Sequence, residues 1–160
     1  MLENIIIDQY LQDKIDSKAL TVSDHLLLAL ADFTATLFPA FTTYVGAQQQ
    51  GVEPAAVWID YYNVSSQKRL DGAKCFDFGV EITYWPKNPL SSAELTNAIY
   101  MIEENLNVLH SDIGQFLCYS TSADITDGIA HIIANITAQV EEVECGPFIK
   151  IATKEVKYFD

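Results

Sequence analysis

Carboxylates are the most numerous residues in this chain that could take part in chemistry, and several of them are clustered. Glu103 and Glu104 are adjacent, and Glu141, Glu142 and Glu144 form a second group. Paired carboxylates can transfer protons or bind a hard cation. Neither group has further ligands at the spacing of a known motif, so the sequence favours a solvated surface over an acid–base or metal site.

Cysteine and histidine give no stronger indication of catalysis or of metal binding. The three cysteines are Cys75, Cys118 and Cys145, and the three histidines are His25, His110 and His131. An odd cysteine count without a CxxC pair predicts reduced thiols rather than a disulfide framework. The histidines lack ligand spacing relative to the cysteines, so we expect no zinc and no other cofactor.

Positive charge is concentrated at one place in an otherwise acidic chain. Lys68, Arg69 and Lys74 lie at the tip of a predicted hairpin. One interpretation is a turn that keeps the protein in solution. The other is a contact surface for an acidic neighbour, including another copy of the chain, because opposite charges fix register and orientation. The candidate interface residues are Lys68, Arg69, Lys74, Gln67, Tyr62 and Trp85.

The overall composition restricts the class of partner. The chain has 160 residues, 22 acidic and nine basic, and its net charge is -13. Such a charge argues against a nucleic-acid reader and against an anionic membrane surface, since both need clustered Lys and Arg. No basic signal-peptide segment and no apolar run of membrane-spanning length occur, so we expect synthesis in the cytosol and no membrane contact.

The N-terminal part of the chain predicts helices. Apolar residues within 4–15 have the spacing of a short amphipathic helix. Thr21 and Asp24 form a candidate capping box for a second helix over residues 25–38, which Pro39 ends. Residues 41–45 have the composition of a strand.

The middle of the chain predicts a hairpin followed by a helix. Residues 57–64 form the first predicted strand, 65–72 the turn, and 75–85 the second strand, which alternates between apolar and polar residues. Ser91 and Glu94 then form a second capping box, and apolar spacing of four and three residues continues the helix to Leu109.

The C-terminal part predicts two more strands, over residues 125–140 and 148–159. We therefore predict an α+β fold: a mainly antiparallel four-stranded sheet packed by two main helices on one face, plus an extra N-terminal helix. Residues 1–160 are expected to form a single domain, with 1–20 as an N-terminal helical extension.

Several short motifs between residues 57 and 159 resemble the tail terminator proteins of phages and prophages of Gram-positive bacteria. They comprise the strand exit Asn63-Val64-Ser65-Ser66-Gln67, the strand entry Phe76-Asp77-Phe78, the strand end Tyr84-Trp85-Pro86, the helix start Ala93-Glu94-Leu95, and the closing Val156-Lys157. The chain departs from that family in having less arginine around Arg69 and Lys74 and in its N-terminal helix.

The resemblance implies a structural virion protein of the tail and neck, assembled in the host cytoplasm. Such a protein forms a ring, expected to be a hexamer, that caps the tail tube, ends its polymerisation and presents the surface that joins the head. The implied partners are further copies of the chain, the tail tube protein and the head-completion or stopper protein of the neck, with the tail sheath as an additional candidate. DNA would pass through the ring without specific binding.

Three alternatives remain open at this point. One is another neck or tail-completion role. A second is a small cytosolic enzyme that uses carboxylates for acid–base chemistry, which would require a concave pocket with shifted carboxyl pKa values. The third is an adaptor that binds a peptide along a sheet edge.

Overall fold

A computed structural model describes residues 3–46, 52–68, 70, 73–142 and 156–159 of the chain. These residues form three helices and eight strands, in the order β1 (Ile5–Ile7), α1 (Gln9–Asp16), α2 (Val22–Leu37), β2 (Thr42–Val45), β3 (Ala56–Lys68), β4 (Ala73–Trp85), α3 (Ser92–Asn105), β5 (Val108–Ser111), β6 (Gly114–Thr126), β7 (Ile129–Glu142) and β8 (Val156–Phe159). Among the described residues, no helix is both long enough and apolar enough to cross a membrane.

The strands form one mixed sheet in the order β1-β2-β3-β4-β7-β6-β5, with β8 pairing beside β7. β2 runs parallel to both β1 and β3, and every other pair is antiparallel. The prediction of a mainly antiparallel four-stranded sheet was therefore wrong. It missed the short strands β1 and β5 and nearly all of β6, of which the predicted strand over 125–140 included only the last two residues.

Local conformation explains each of these errors. The predicted helix over 4–15 divides at Asp8, whose side chain accepts a hydrogen bond from the Leu11 N–H (2.8 Å) and starts α1, so that Ile5–Ile7 is free to pair as β1. The predicted strand over 125–140 is broken by the turn at Asp127 and Gly128, where both residues have positive φ. This turn separates β6 from β7.

The helix α2 covers one face of the sheet and supplies much of its core. Its capping box is present: the Thr21 hydroxyl accepts from the Asp24 N–H, and the Asp24 carboxylate accepts from the Thr21 N–H at 2.7 Å. The buried Leu26 and Leu30 face buried sheet residues such as Ile59. Burial tends to raise the pKa of Asp24, but hydrogen bonds from Lys14 and Thr21 outweigh it, so the pKa lies below its usual value.

The helix α3 packs on the same core through Leu95, Ala98 and Ile102. The helix was predicted to continue to Leu109, but it ends at Asn105, and Leu109 belongs to β5. Leu106 and Leu109 are nevertheless buried, so the apolar spacing indicated their burial correctly while the backbone changed from helix to strand.

Candidate functional site

The hairpin formed by β3 and β4 is longer than predicted, and its environment changes along its length. β3 reaches Lys68 and β4 begins at Ala73, so residues predicted as turn are paired strand. Val57 and Ile59 are completely buried, whereas every residue over 62–68 is exposed. We call residues 62–68 together with the paired 74–79 the distal hairpin. Its β3 half is exposed throughout, whereas Phe78 of its β4 half is buried in the core.

A β-bulge opens the distal hairpin and sets the position of Tyr62. The pairing shifts between Tyr61 and Asn63, which makes Tyr62 the extra residue. Its ring lies across Gly79 so closely that a Cβ there would sit 2.3 Å from the ring. Glycine is therefore required at position 79 for this ring placement.

The Tyr62 ring extends from β3 across β4 to the next strand. The Tyr62 hydroxyl donates a hydrogen bond to Asn135 Oδ1 of β7 (3.0 Å), and Asn135 Nδ2 donates to Ser120 Oγ of β6 (2.9 Å). The Tyr62 ring and these two hydrogen bonds thus cross four strands, β3, β4, β7 and β6. They lie on the face of the sheet opposite α2 and α3, which we call the helix-free face. These contacts hold the distal hairpin in line with the rest of the sheet.

Two of the three candidate cationic residues lie at the tip of the distal hairpin. Lys68 and Lys74 occupy directly opposite positions in the two strands, and Gln67 lies opposite Cys75. Arg69 lies outside the described residues. Two lysines on paired positions create a local positive potential, which favours an anionic group nearby.

Trp85, the remaining candidate, lies at the other end of β4. It lies eleven positions along β4 from Lys74, which corresponds to roughly 35 Å along an extended strand. Its indole Nε1 is buried and has no hydrogen-bond partner among the described residues. The structure therefore brings Lys68, Lys74 and Gln67 together, places Tyr62 midway, and separates Trp85 from all of them.

Acidic residues lie on the helix-free face of neighbouring strands. Asp60 of β3 lies opposite Glu81 of β4, and Asp124 of β6 lies opposite His131 of β7. Glu81 Oε1 contacts His131 Nδ1 at 2.7 Å. Asp77 and Glu81 of β4 share this face, as the alternation of apolar and polar residues predicts, but the sequence did not reveal the neighbouring strand β6.

Cavities of about 230, 330, 420 and 620 Å³ open on the surface of the described residues. One of about 230 Å³ lies between α2 and β5 and is lined by His25, Asp32, His110 and Asp112 among others. No three His, Cys, Asp or Glu residues in the described part of the chain are grouped closely enough to hold a metal ion.

Carboxyl groups with shifted pKa values occur elsewhere, in structural positions. Burial tends to raise the pKa of Glu94, but the N–H groups of Lys87 and Asn88 and the Tyr84 hydroxyl outweigh it and lower the pKa. Glu94 holds the loop that precedes α3, whereas Asp24 caps the start of α2. These shifts are accounted for by structural hydrogen bonds and give no support to an acid–base site.

Comparison with known proteins supports the resemblance stated from the motifs. A family model described as phage tail terminator protein matches residues 21–144, which include α2, the whole hairpin, α3 and the strands β5 to β7. The match begins well before residue 57, so it covers more of the fold than the short motifs did. A search of curated proteins found no match. The chain therefore belongs to the phage tail terminator protein family and is a structural component of a phage tail.

Proposed function

We propose that this chain, acting as one domain, assembles into a hexameric ring that caps the tail tube, ends its polymerisation and forms the surface that joins the head. The partners would be further copies of the chain, the tail tube protein and the stopper protein of the neck. The protein would work without catalysis, in the virion, after assembly in the host cytoplasm. Family membership supports this proposal.

The observation that carries the proposal is the exposed distal hairpin. A strand whose residues 62–68 are exposed on both faces adds nothing to the core, yet Tyr62 holds it in a defined position. Ordered surface of this kind is suited to contact with another molecule. A ring needs such a surface, because each copy must present two different faces to its two neighbours.

Charge supports the same arrangement. Lys68 and Lys74 are cationic in a chain whose net charge is -13, so a neighbouring copy offers many acidic groups. The acidic helix-free face, with Asp60, Glu81 and Asp124, is the candidate wall of the channel. Carboxylates there would repel DNA phosphates and let the genome pass without sticking.

Charge reversal at the hairpin tip tests this proposal. The double variant Lys68→Glu/Arg69→Glu should raise the protein concentration needed to cap half of a population of purified tail tubes by about tenfold or more. The matched control is Lys18→Glu/Lys87→Glu, which changes the net charge equally at exposed residues outside the distal hairpin. Capping is scored by electron microscopy of tube ends and by arrest of further tube growth.

The outcomes separate the candidate roles. If the tip variant loses capping while the control keeps it, the hairpin tip is an assembly surface. If both variants cap as the wild type does, the tip has no part in ring formation. A wild-type protein that joins heads to finished tails without arresting tube growth would have a tail-completion role instead.

A further inference from the structure

We propose that neighbouring copies in the ring join by main-chain pairing, with the free edge of β3 in one copy bound to the free edge of β6 in the next. The sheet would then continue from copy to copy. This inference rests on the proposed function and names the interface that closes the ring.

The free edge of β3 begins where β2 ends. β2 pairs with β3 only from Ala56 to Ile59, and among the described residues the rest of β3 pairs with β4 alone. The N–H and C=O groups of this stretch that point away from β4 lack strand partners in the described chain. An unpaired edge of this length is a template for another strand.

The free edge of β6 lies on the opposite side of the same sheet. β5 pairs with β6 only from Gly114 to Leu117, and the Cys118 N–H donates to the Asn107 carbonyl at 2.8 Å. From Ser120 to Thr126 the described residues provide pairing with β7 only. The free edge of β3 spans nine residues, 60–68, and the free edge of β6 spans seven, 120–126.

Apart from Asp60, Lys68 and the bulge at Tyr62, both edges lack the residues that usually prevent strands from pairing. Over residues 61–67 there is no charged residue and no proline, and over 119–126 Asp124 is the only charged residue and proline is absent. Natural edge strands are commonly blunted by lysine, proline or a bulge within them. Here the bulges precede residues 63–68 and 120–126, so both stretches remain regular.

The strand directions are compatible with a continuous sheet. β3, β4, β7 and β6 are joined by three antiparallel steps, so β3 and β6 run in opposite directions. If β3 of one copy lies beside β6 of the next, the new pair is also antiparallel. Two different edges form this contact, which makes it heterologous, and a heterologous contact that closes gives a ring.

The faces of the sheet limit the register of this pairing. Asn63 and Ser65 lie on the helix-free face, as do Ser120, Ser122 and Asp124 of β6. A continuous helix-free face requires that odd-numbered residues of β3 pair with even-numbered residues of β6. A slip by one residue would turn these polar side chains towards the helix-covered face, so only alternate registers are allowed.

Hydrogen exchange measured by mass spectrometry tests the pairing directly. Exchange is followed for residues 60–68 and 119–126 in the dilute protein and in rings assembled on tail tubes. We expect both stretches to exchange at least about tenfold more slowly in the ring, because paired amides exchange only through opening. Residues 92–105 of α3, already hydrogen-bonded within the helix, are the internal reference.

Two adjacent proline variants provide an independent test. Neighbouring residues of an antiparallel strand direct their N–H groups to opposite sides of the strand. Of the two variants Ser65→Pro and Ser66→Pro, one therefore removes a hydrogen bond to β4, and the other removes only an N–H that points away from β4. The first should lower the melting temperature of the dilute protein. The second should leave it nearly unchanged and should raise the concentration needed for ring formation by about tenfold or more.

Each outcome bears on the proposal in a definite way. Protection of both stretches in the ring, with loss of assembly in the outward proline variant, supports it. Protection already present in the dilute protein would show that the chain covers its own strand edges, and it would overturn the proposed pairing. Protection of one stretch alone would indicate pairing with a strand from a different protein, and it would also overturn the proposed pairing. Rings that cap tubes with neither stretch protected would overturn this inference and leave the proposed function intact, whereas failure to cap at all would remove the proposed function itself.

Discussion

Residues 56–61 and 62–68 belong to one strand, β3, but the two halves differ in almost every physical respect. In the first half, Ala56, Val57 and Ile59 are at most 1% exposed and pack against α2 and the neighbouring strands. In the second half, Tyr62 and Val64 are 51% and 52% exposed, and polar residues dominate. Core packing therefore explains the first half, while the second is held by its pairing with β4 and by Tyr62.

Under the proposed function, the buried half of β3 contributes to folding and the exposed half contributes to contact with another copy. Substitutions in the buried half should act on stability, and substitutions in the exposed half should act on assembly. The predictions that follow test this separation, beginning with the largest expected effect on the free energy of unfolding.

The first prediction compares one buried and one exposed aliphatic residue. Ile82 is 0% exposed in the part of β4 that pairs with the buried half of β3. Ile82→Ala should lower the free energy of unfolding by about 2–5 kcal/mol, through lost burial and the cavity it leaves. Val64→Ala should change it by no more than about 0.5 kcal/mol. Urea unfolding of the dilute protein measures both, and equal losses would contradict the separation.

The second prediction concerns the contact between Gly79 and Tyr62. A Cβ at position 79 would force the Tyr62 ring away and break its hydrogen bond to Asn135, so Gly79→Ala should cost about 1–3 kcal/mol. In the background Tyr62→Ala, which removes the ring, the same substitution should cost much less. A double-mutant cycle measures this coupling. Additive losses would show that the ring does not constrain position 79.

The third prediction concerns the loop between β4 and α3, at the buried end of the hairpin. Glu94 accepts hydrogen bonds from the N–H groups of Lys87 (2.9 Å) and Asn88 (3.2 Å), and its pKa is lowered in the folded state. A lowered carboxyl pKa contributes stability above the unfolded-state value, and this contribution is lost as the pH falls through the folded-state pKa. Glu94→Gln should therefore lower the free energy of unfolding at pH 7 by up to about 1 kcal/mol.

The pH dependence distinguishes this effect from a general loss of packing. The difference between the wild type and Glu94→Gln should shrink as the pH is lowered below about 4.5, the ordinary value for glutamate. Glu103→Gln, near the end of the same helix, is the matched control and should be neutral or slightly stabilising at pH 7. A deficit in Glu94→Gln that stays constant from pH 7 to pH 3 would contradict the assignment.

The parts of the fold that the sequence predicted correctly have strong local signals. The alternation over β4 identified both its faces, and the capping box at Thr21 and the N-cap residue Ser91 marked the starts of α2 and α3. In α3 the predicted reciprocal bond is missing, because the Glu94 carboxylate accepts from Lys87 and Asn88 instead of from Ser91. In each case the signal lies within a few residues and depends on burial or capping of a single element. Residues of this kind specify local structure before any tertiary contact forms.

The strands that the sequence did not reveal lack such signals for physical reasons. The exposed part of β6 alternates weakly, because Tyr119, Asp124 and Ile125 are all exposed there. β1 and β5 have three and four residues, too few to show a period, and both exist because neighbouring strands pair with them. The candidate interface residues do not all lie together in the structure. The sequence suggested that Trp85 lies near the hairpin tip, but β4 is so long that Trp85 and Lys74 lie at its opposite ends.

Tail length is the measurement that tests the central claim most directly. Particles produced without this protein, and particles complemented with the wild type, would be imaged by negative-stain electron microscopy, and the length of each tail and its attachment to a head would be recorded. We predict over-long tails with free ends and no heads in the absence of the protein, and tails of uniform length joined to heads on complementation. Tails of normal length without the protein would contradict termination, whether or not heads were attached.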